Sequence, residues 1–79
     1  MRKNTLWVAT LDTRHYNFEA YGETKAEALA VMASSWRAHR RECGGVCAPW
    51  SEFKDDVSVR EVSIGSGYRD GFELSSRKR

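Results

Sequence analysis

His39, Cys43 and Cys47 spell His-x3-Cys-x3-Cys, a trio of imidazole and thiols whose residue types suit a soft metal ion. A structural zinc site takes four such ligands, usually a Cys-x2–4-Cys pair with a second pair elsewhere, and only His15 is left as a fourth. His39 and Cys43 stand one helical turn apart, whereas Cys47 follows a Gly44-Gly45 helix stop. The sequence therefore predicts Cys43 as a small core residue and Cys47 as loop filler, with a local disulfide between them as the alternative. No metal and no other cofactor is expected. His39 and Cys43 also have the i, i+4 spacing of a base and a nucleophile. They fall on a core-facing stripe, however, with no oxyanion donor or orienting carboxylate in view, and a buried Cys is usually inert. Gly65-Ser66-Gly67 is too short for a nucleophile elbow and lacks the lysine of a phosphate loop. Asp55, Asp56 and Glu61 read as a solvated edge. Nothing converges, so no catalytic residue is expected.

The elements that carry these residues are legible in outline. Thr5 to Thr13 is rich in β-branched and aromatic residues and reads as a strand, followed by turn chemistry at Asp12-Thr13-Arg14-His15. Tyr16 to Gly22 reads as its hairpin partner, with Phe18 and Ala20 on one face and Asn17, Glu19 and Tyr21 on the other. Thr24-Lys25-Ala26-Glu27 is a capping box. Strong helix formers follow to about Glu42, with Leu29, Met32, Trp36, His39 and Cys43 in one stripe, and Gly44 as the left-handed stop. Pro49 opens a turn that sets Trp50 and Phe53 over the core edge. Val57 to Ile64 reads as a third strand, and its slipping alternation predicts a bulge near Arg60-Glu61. Tyr68 to Leu74 reads as a short fourth strand, unless Asp70-Gly71 is itself the turn. The fold class is α+β: a small antiparallel sheet with one helix packed on one face, in the order β-β-α-β-(β). Residues 1–79 read as a single domain, with 1–4 and 75–79 as frayed tails.

With 79 residues, 41% hydrophobic and 30% charged, the composition is that of a globular chain with a thin core. No apolar run reaches the roughly 18 residues of a membrane span and no signal-peptide core is evident, so a cytoplasmic setting, that of a bacterial host cell, is expected. The formal charge of +2 belongs to the ends. Without Arg2, Lys3, Arg77, Lys78 and Arg79, 8 basic residues face 11 acidic ones, and the body carries −3. Arg37, Arg40 and Arg41 are the one basic cluster inside the fold, where the helix dipole also favours cations.

Gly22-Glu23-Thr24-Lys25-Ala26-Glu27-Ala28-Leu29, entering a helix behind a short hairpin, resembles the strand-to-helix junction of HicB-like antitoxin domains. The same stretch resembles the arm-type DNA-binding domain of phage integrases, in which a three-stranded sheet leads into a Thr-Lys-x-x-Ala helix. The Pro-Asp-Leu-Pro-Gly strand of the first family and the Lys/Arg richness of the second are not found here. In size and organisation alone, the chain is similar to small accessory proteins of phages and mobile elements, including anti-CRISPR proteins.

These observations predict a non-catalytic module that binds a macromolecule, first of all a host protein or ribonucleoprotein complex that it inhibits. The candidate contacts are Trp7 and Tyr21, read as one open sheet face unless the register turns Trp7 into the core and Leu6 and Val8 outward, and Arg37, Arg40 and Arg41 at the helix end. A homodimer through that open face is the further option, and no membrane is involved. The competing reading is a small nucleic-acid-binding domain that uses the same arginines and the basic tails.

Overall fold

The computed structural model describes residues 5–44, 46–70 and 72–76. Its elements run β1 (Thr5–Asp12), β2 (Asn17–Gly22), α1 (Lys25–Glu42), two 3-10 turns (Trp50–Glu52 and Lys54–Asp56), β3 (Ser58–Ser63), β4 (Ser66–Arg69) and β5 (Phe72–Ser76). β1 is the central strand of an antiparallel sheet ordered β2-β1-β3, and β4 and β5 form a second, two-stranded sheet. The architecture is α+β, with α1 on one face of the three-stranded sheet. Among the described residues no helix is long and apolar enough to cross a membrane.

The first hairpin closes because Thr13 bridges its own turn. Its hydroxyl donates to the Tyr16 carbonyl at 2.9 Å and accepts from the Tyr16 amide at 3.1 Å. Register then follows from the pair Asp12↔Asn17 and sets Val8 opposite Tyr21 and Trp7 opposite Gly22. Trp7 and Tyr21 consequently lie on opposite faces, and the single aromatic patch expected of them does not form. Trp7 packs at the core edge beside Ala9 and Leu11, while Tyr21 stands outward, half exposed.

β3 pairs with β1 in unbroken register from Thr5↔Ser63 to Thr10↔Ser58, so the bulge expected near Arg60-Glu61 is absent. The apparent slip in alternation has another cause. Val59 faces the core opposite Ala9, and Val62 faces outward opposite Leu6, because both sheet faces carry apolar residues. The chain after β3 also departs from a single fourth strand. Asp70, at φ 53, sits at the turn between β4 and β5, and the register shift falls at Gly67/Tyr68. Ser75 and Ser76 are the end of β5, not part of a tail; the remaining tail assignments, 1–4 and 77–79, lie outside the described residues. Phe72 and Leu74 stay largely exposed on this hairpin, and the molecule measures 48 × 27 × 20 Å.

Thr24 caps α1 as expected, accepting from the Glu27 amide at 3.0 Å. The Glu27 carboxylate returns one residue earlier than the usual box, to the Glu23 amide at 2.6 Å. The helix sits close to the sheet because the contact is made of alanines: Ala9, Ala20 and Ala28 are buried together with Leu11, Met32 and Trp36. Gly22 belongs to the same seam. A Cβ built there would stand 2.5 Å from the Ala28 backbone nitrogen and 2.8 Å from the Glu27 Cβ, so a methyl group displaces the helix start. Gly22→Ala should therefore destabilise the protein by about 1–3 kcal/mol, the usual range for overpacking. Thermal unfolding followed by circular dichroism reads this as a lower Tm.

Candidate functional site

The functional geometry gathers at the C-terminal end of α1. An 18-residue helix rises about 27 Å, and its last turns carry His39 to the Tyr16–Phe18 end of the first hairpin. They meet the β1–β2 turn on one side and the connector that follows the helix on the other. The helix stops as the sequence suggests: Gly44 adopts φ 69 after the Cys43 cap, and the chain reverses along the helix it has just left.

Two side chains fasten the returning connector. The Trp36 indole Nε1 donates to the Ala48 carbonyl at 2.9 Å, and Arg40 Nε donates to the Cys47 carbonyl at 3.0 Å. Trp36 is itself buried between Phe18 and Phe53, at ring-centroid distances of 5.3 and 4.7 Å. Consecutive carbonyls of the connector are thus tied to one helix face. This brings Cys47 back to the residues from which its sequence position separates it.

The result is a cluster of His39, Cys43 and Cys47. His39 Nε2 lies 3.6 Å from Cys43 Sγ and 3.6 Å from Cys47 Sγ, and the three side-chain donor atoms all fall within 4.8 Å of one another. Cys47 is partly buried against the core, where loop filler was expected, and both cysteines are free thiols rather than a disulfide. The neighbouring Cys47 thiol, partial burial and the charge of Glu42 push the Cys43 thiol above its ordinary range. His39 is held by aromatic rings: Tyr16 at 5.0 Å and Phe18 at 5.2 Å meet it edge-on, and Trp36 lies tilted at 5.3 Å. The turn that carries His15 thus reaches His39 through Tyr16, although His15 is not in the cluster.

The arginines lie beside this cluster. Arg37, Arg40 and Arg41 line an open groove of about 440 Å³ together with Gly44. Their roles differ. Arg40 is half-buried and fixed by its bond to Cys47, Arg37 donates to Ser34 Oγ at 3.3 Å, and Arg41 is exposed. Val46, 85% exposed, follows in the same connector.

The sheet face away from α1 carries Leu6, Val8, Tyr21, Arg60 and Val62. Val8 is buried there between its cross-strand neighbours Tyr21 and Arg60. The Tyr21 hydroxyl donates to Glu19 Oε1 at 2.8 Å. That bond, slight desolvation and the Glu19 charge push the Tyr21 ionisation above its usual value. Of the five candidate contacts, then, the three arginines are brought together, Tyr21 stands alone on the far face, and Trp7 turns to the core.

Comparisons with known protein families, with curated proteins and with solved structures found no match for this chain.

Two outcomes follow from this geometry. Arg40→Ala should lower stability by about 1–2 kcal/mol, since it removes a charged donor from a part-buried carbonyl, whereas Arg41→Ala should change it by less than about 0.5 kcal/mol. Thermal or urea unfolding separates the two. Glu19→Gln should bring the Tyr21 ionisation down toward its ordinary value, read by NMR titration of its ring. Because the folded-state value lies above the unfolded one, the stabilisation from this bond is present below about pH 10 and fades as pH rises through the folded value.

Proposed function

We propose that this chain is a non-catalytic binding module whose groove at the end of α1 docks an acidic protein surface. The observation that carries the reading is the convergence of Arg37, Arg40 and Arg41 on one open groove, with Arg40 already oriented by the Cys47 carbonyl. Guanidinium groups form planar, bidentate bonds with carboxylates, and an arginine held in place loses less conformational freedom when it binds. Exposed Val46 adds apolar surface in the neighbouring connector, which suits a segment mixing carboxylates with hydrophobic side chains.

Charge favours protein over nucleic acid. The body of the chain carries −3, and Glu52, Asp55 and Asp56 stand exposed on the connector beyond the groove. Such a dipolar surface repels a long polyanion over most of its extent while accepting a local acidic patch. An accessory inhibitor of a host complex, of the kind made by phages and mobile elements, would work in this manner: a small rigid domain inserts arginines where the complex normally engages another partner.

The test is retention of a host protein from nuclease-treated lysate on the immobilised chain, compared with the Arg37→Ala/Arg41→Ala variant. Binding should survive nuclease and should weaken at least about tenfold in the variant, with its Tm unchanged. The reading is overturned if the chain instead retards duplex DNA of any sequence, with affinity falling steeply between about 50 and 200 mM salt, and the same variant abolishes it.

A further inference from the structure

The His39–Cys43–Cys47 cluster has the dimensions of a metal site. In a tetrahedral zinc centre with Zn–S of about 2.3 Å and Zn–N of about 2.0–2.1 Å, the sulfur-to-nitrogen separation is about 3.6 Å and the sulfur-to-sulfur separation about 3.8 Å. His39 Nε2 stands 3.6 Å from each sulfur, and no pair of donor atoms exceeds 4.8 Å. Cys43 Sγ also stands 3.9 Å from Nδ1, to the side of the ring, so an ion on Nε2 requires the imidazole to turn its Nε2 edge between the two sulfurs and at most about 1 Å of closure between them.

The surroundings are those of a built site. A ligating imidazole must be held in one orientation, and here Tyr16, Phe18 and Trp36 surround the ring. A ligand on a loop must not drift away, and Cys47 is fixed through its own carbonyl by Arg40 and through the next carbonyl by Trp36. The Cys43 backbone is fixed by the helix cap, its amide donating to the His39 carbonyl at 3.0 Å. All three donors are half-buried, which limits competition from water without closing the approach.

We propose that His39 Nε2 and the thiolates of Cys43 and Cys47 bind one zinc ion, leaving the fourth coordination position to an exchangeable ligand. Two thiolates and one neutral imidazole are a soft donor set, which selects zinc over magnesium or calcium. Binding releases two protons, one from each thiol, and the two thiolates cancel the charge of the ion. Three protein ligands are the complement of an open site, in which water or a group from another molecule completes the tetrahedron. The bound ion would also lock Cys47, and with it Arg40 at the wall of the neighbouring groove. The inference stands on the cluster alone and does not require the groove to bind a protein.

The experiment uses the full chain, reduced and freed of metal, titrated with zinc in competition with a chromophoric chelator and with cobalt(II) as a spectroscopic probe. One zinc per chain is expected, with thiolate-to-cobalt charge-transfer bands and the visible bands of tetrahedral cobalt. Free zinc at a hundred times Kd should raise the folded-to-unfolded ratio about a hundredfold and the Tm by on the order of 10 °C. Cys43→Ser/Cys47→Ser should abolish all three effects, and Cys47→Ser alone, which leaves the helix untouched, should weaken zinc at least tenfold while keeping the circular dichroism spectrum. Zinc binding that persists in the double variant, or reduced wild-type chain that takes up no zinc at micromolar concentration, overturns the proposal.

Discussion

The bond from the Trp36 indole to the Ala48 carbonyl, 2.9 Å long, holds together the part of the molecule where every candidate function lies. The Trp36 ring is pinned by Phe18 of β2 and by Phe53 between the two 3-10 turns, so the donor has little freedom to point elsewhere. A part-buried indole N–H without a partner is costly, and so is a connector carbonyl turned to the core without one. Each meets the other's need. The connector must then run back along α1, and Cys47 arrives beside His39 while its carbonyl meets Arg40. The cluster and the groove are two consequences of one tether.

The two ends of α1 are packed on different principles. At its start, alanines and Gly22 let backbone approach backbone, and hydrophobic burial is achieved with little side-chain volume. Toward its end the helix packs against aromatic rings and the returning chain. Small seams tolerate no added atoms, whereas aromatic clusters leave edges where polar groups and thiols can sit half-buried. Chemistry therefore collects at the second end. This separation also fits the charge: Glu23 and Glu27 stand at the helix start, and Arg37, Arg40 and Arg41 lie toward its end.

Much of this was legible in the residues. Thr24 and Glu27 announce the helix start, Gly44 its stop, Phe18 and Ala20 the inner face of β2, and Pro49 the turn that brings Phe53 to the core. The misreadings share a cause, which is that strand periodicity does not say which face is inner when both are apolar. Trp7 and Tyr21 were separable only by the pair Val8↔Tyr21, a consequence of how the Thr13 turn closes. The alternation in β3 looked broken for the same reason. The three arginines could be found from their spacing on one helix. The cluster was only half visible: His39 and Cys43 share a helix face, but Cys47 lies beyond a stop, and nothing in a linear spacing says that the chain doubles back. The usable signal was Trp36, a buried ring one turn before His39 whose N–H requires an acceptor.

Amide and indole hydrogen exchange of the reduced chain, resolved by NMR for Trp7, Trp36 and Trp50, tests the tether most directly. If the connector is held as described, the Trp36 indole proton exchanges most slowly of the three, and it exchanges only with opening of the core. An indole proton of Trp36 that exchanges as fast as that of Trp50, while the α1 amides remain protected, would show the connector to be detached and would contradict the account.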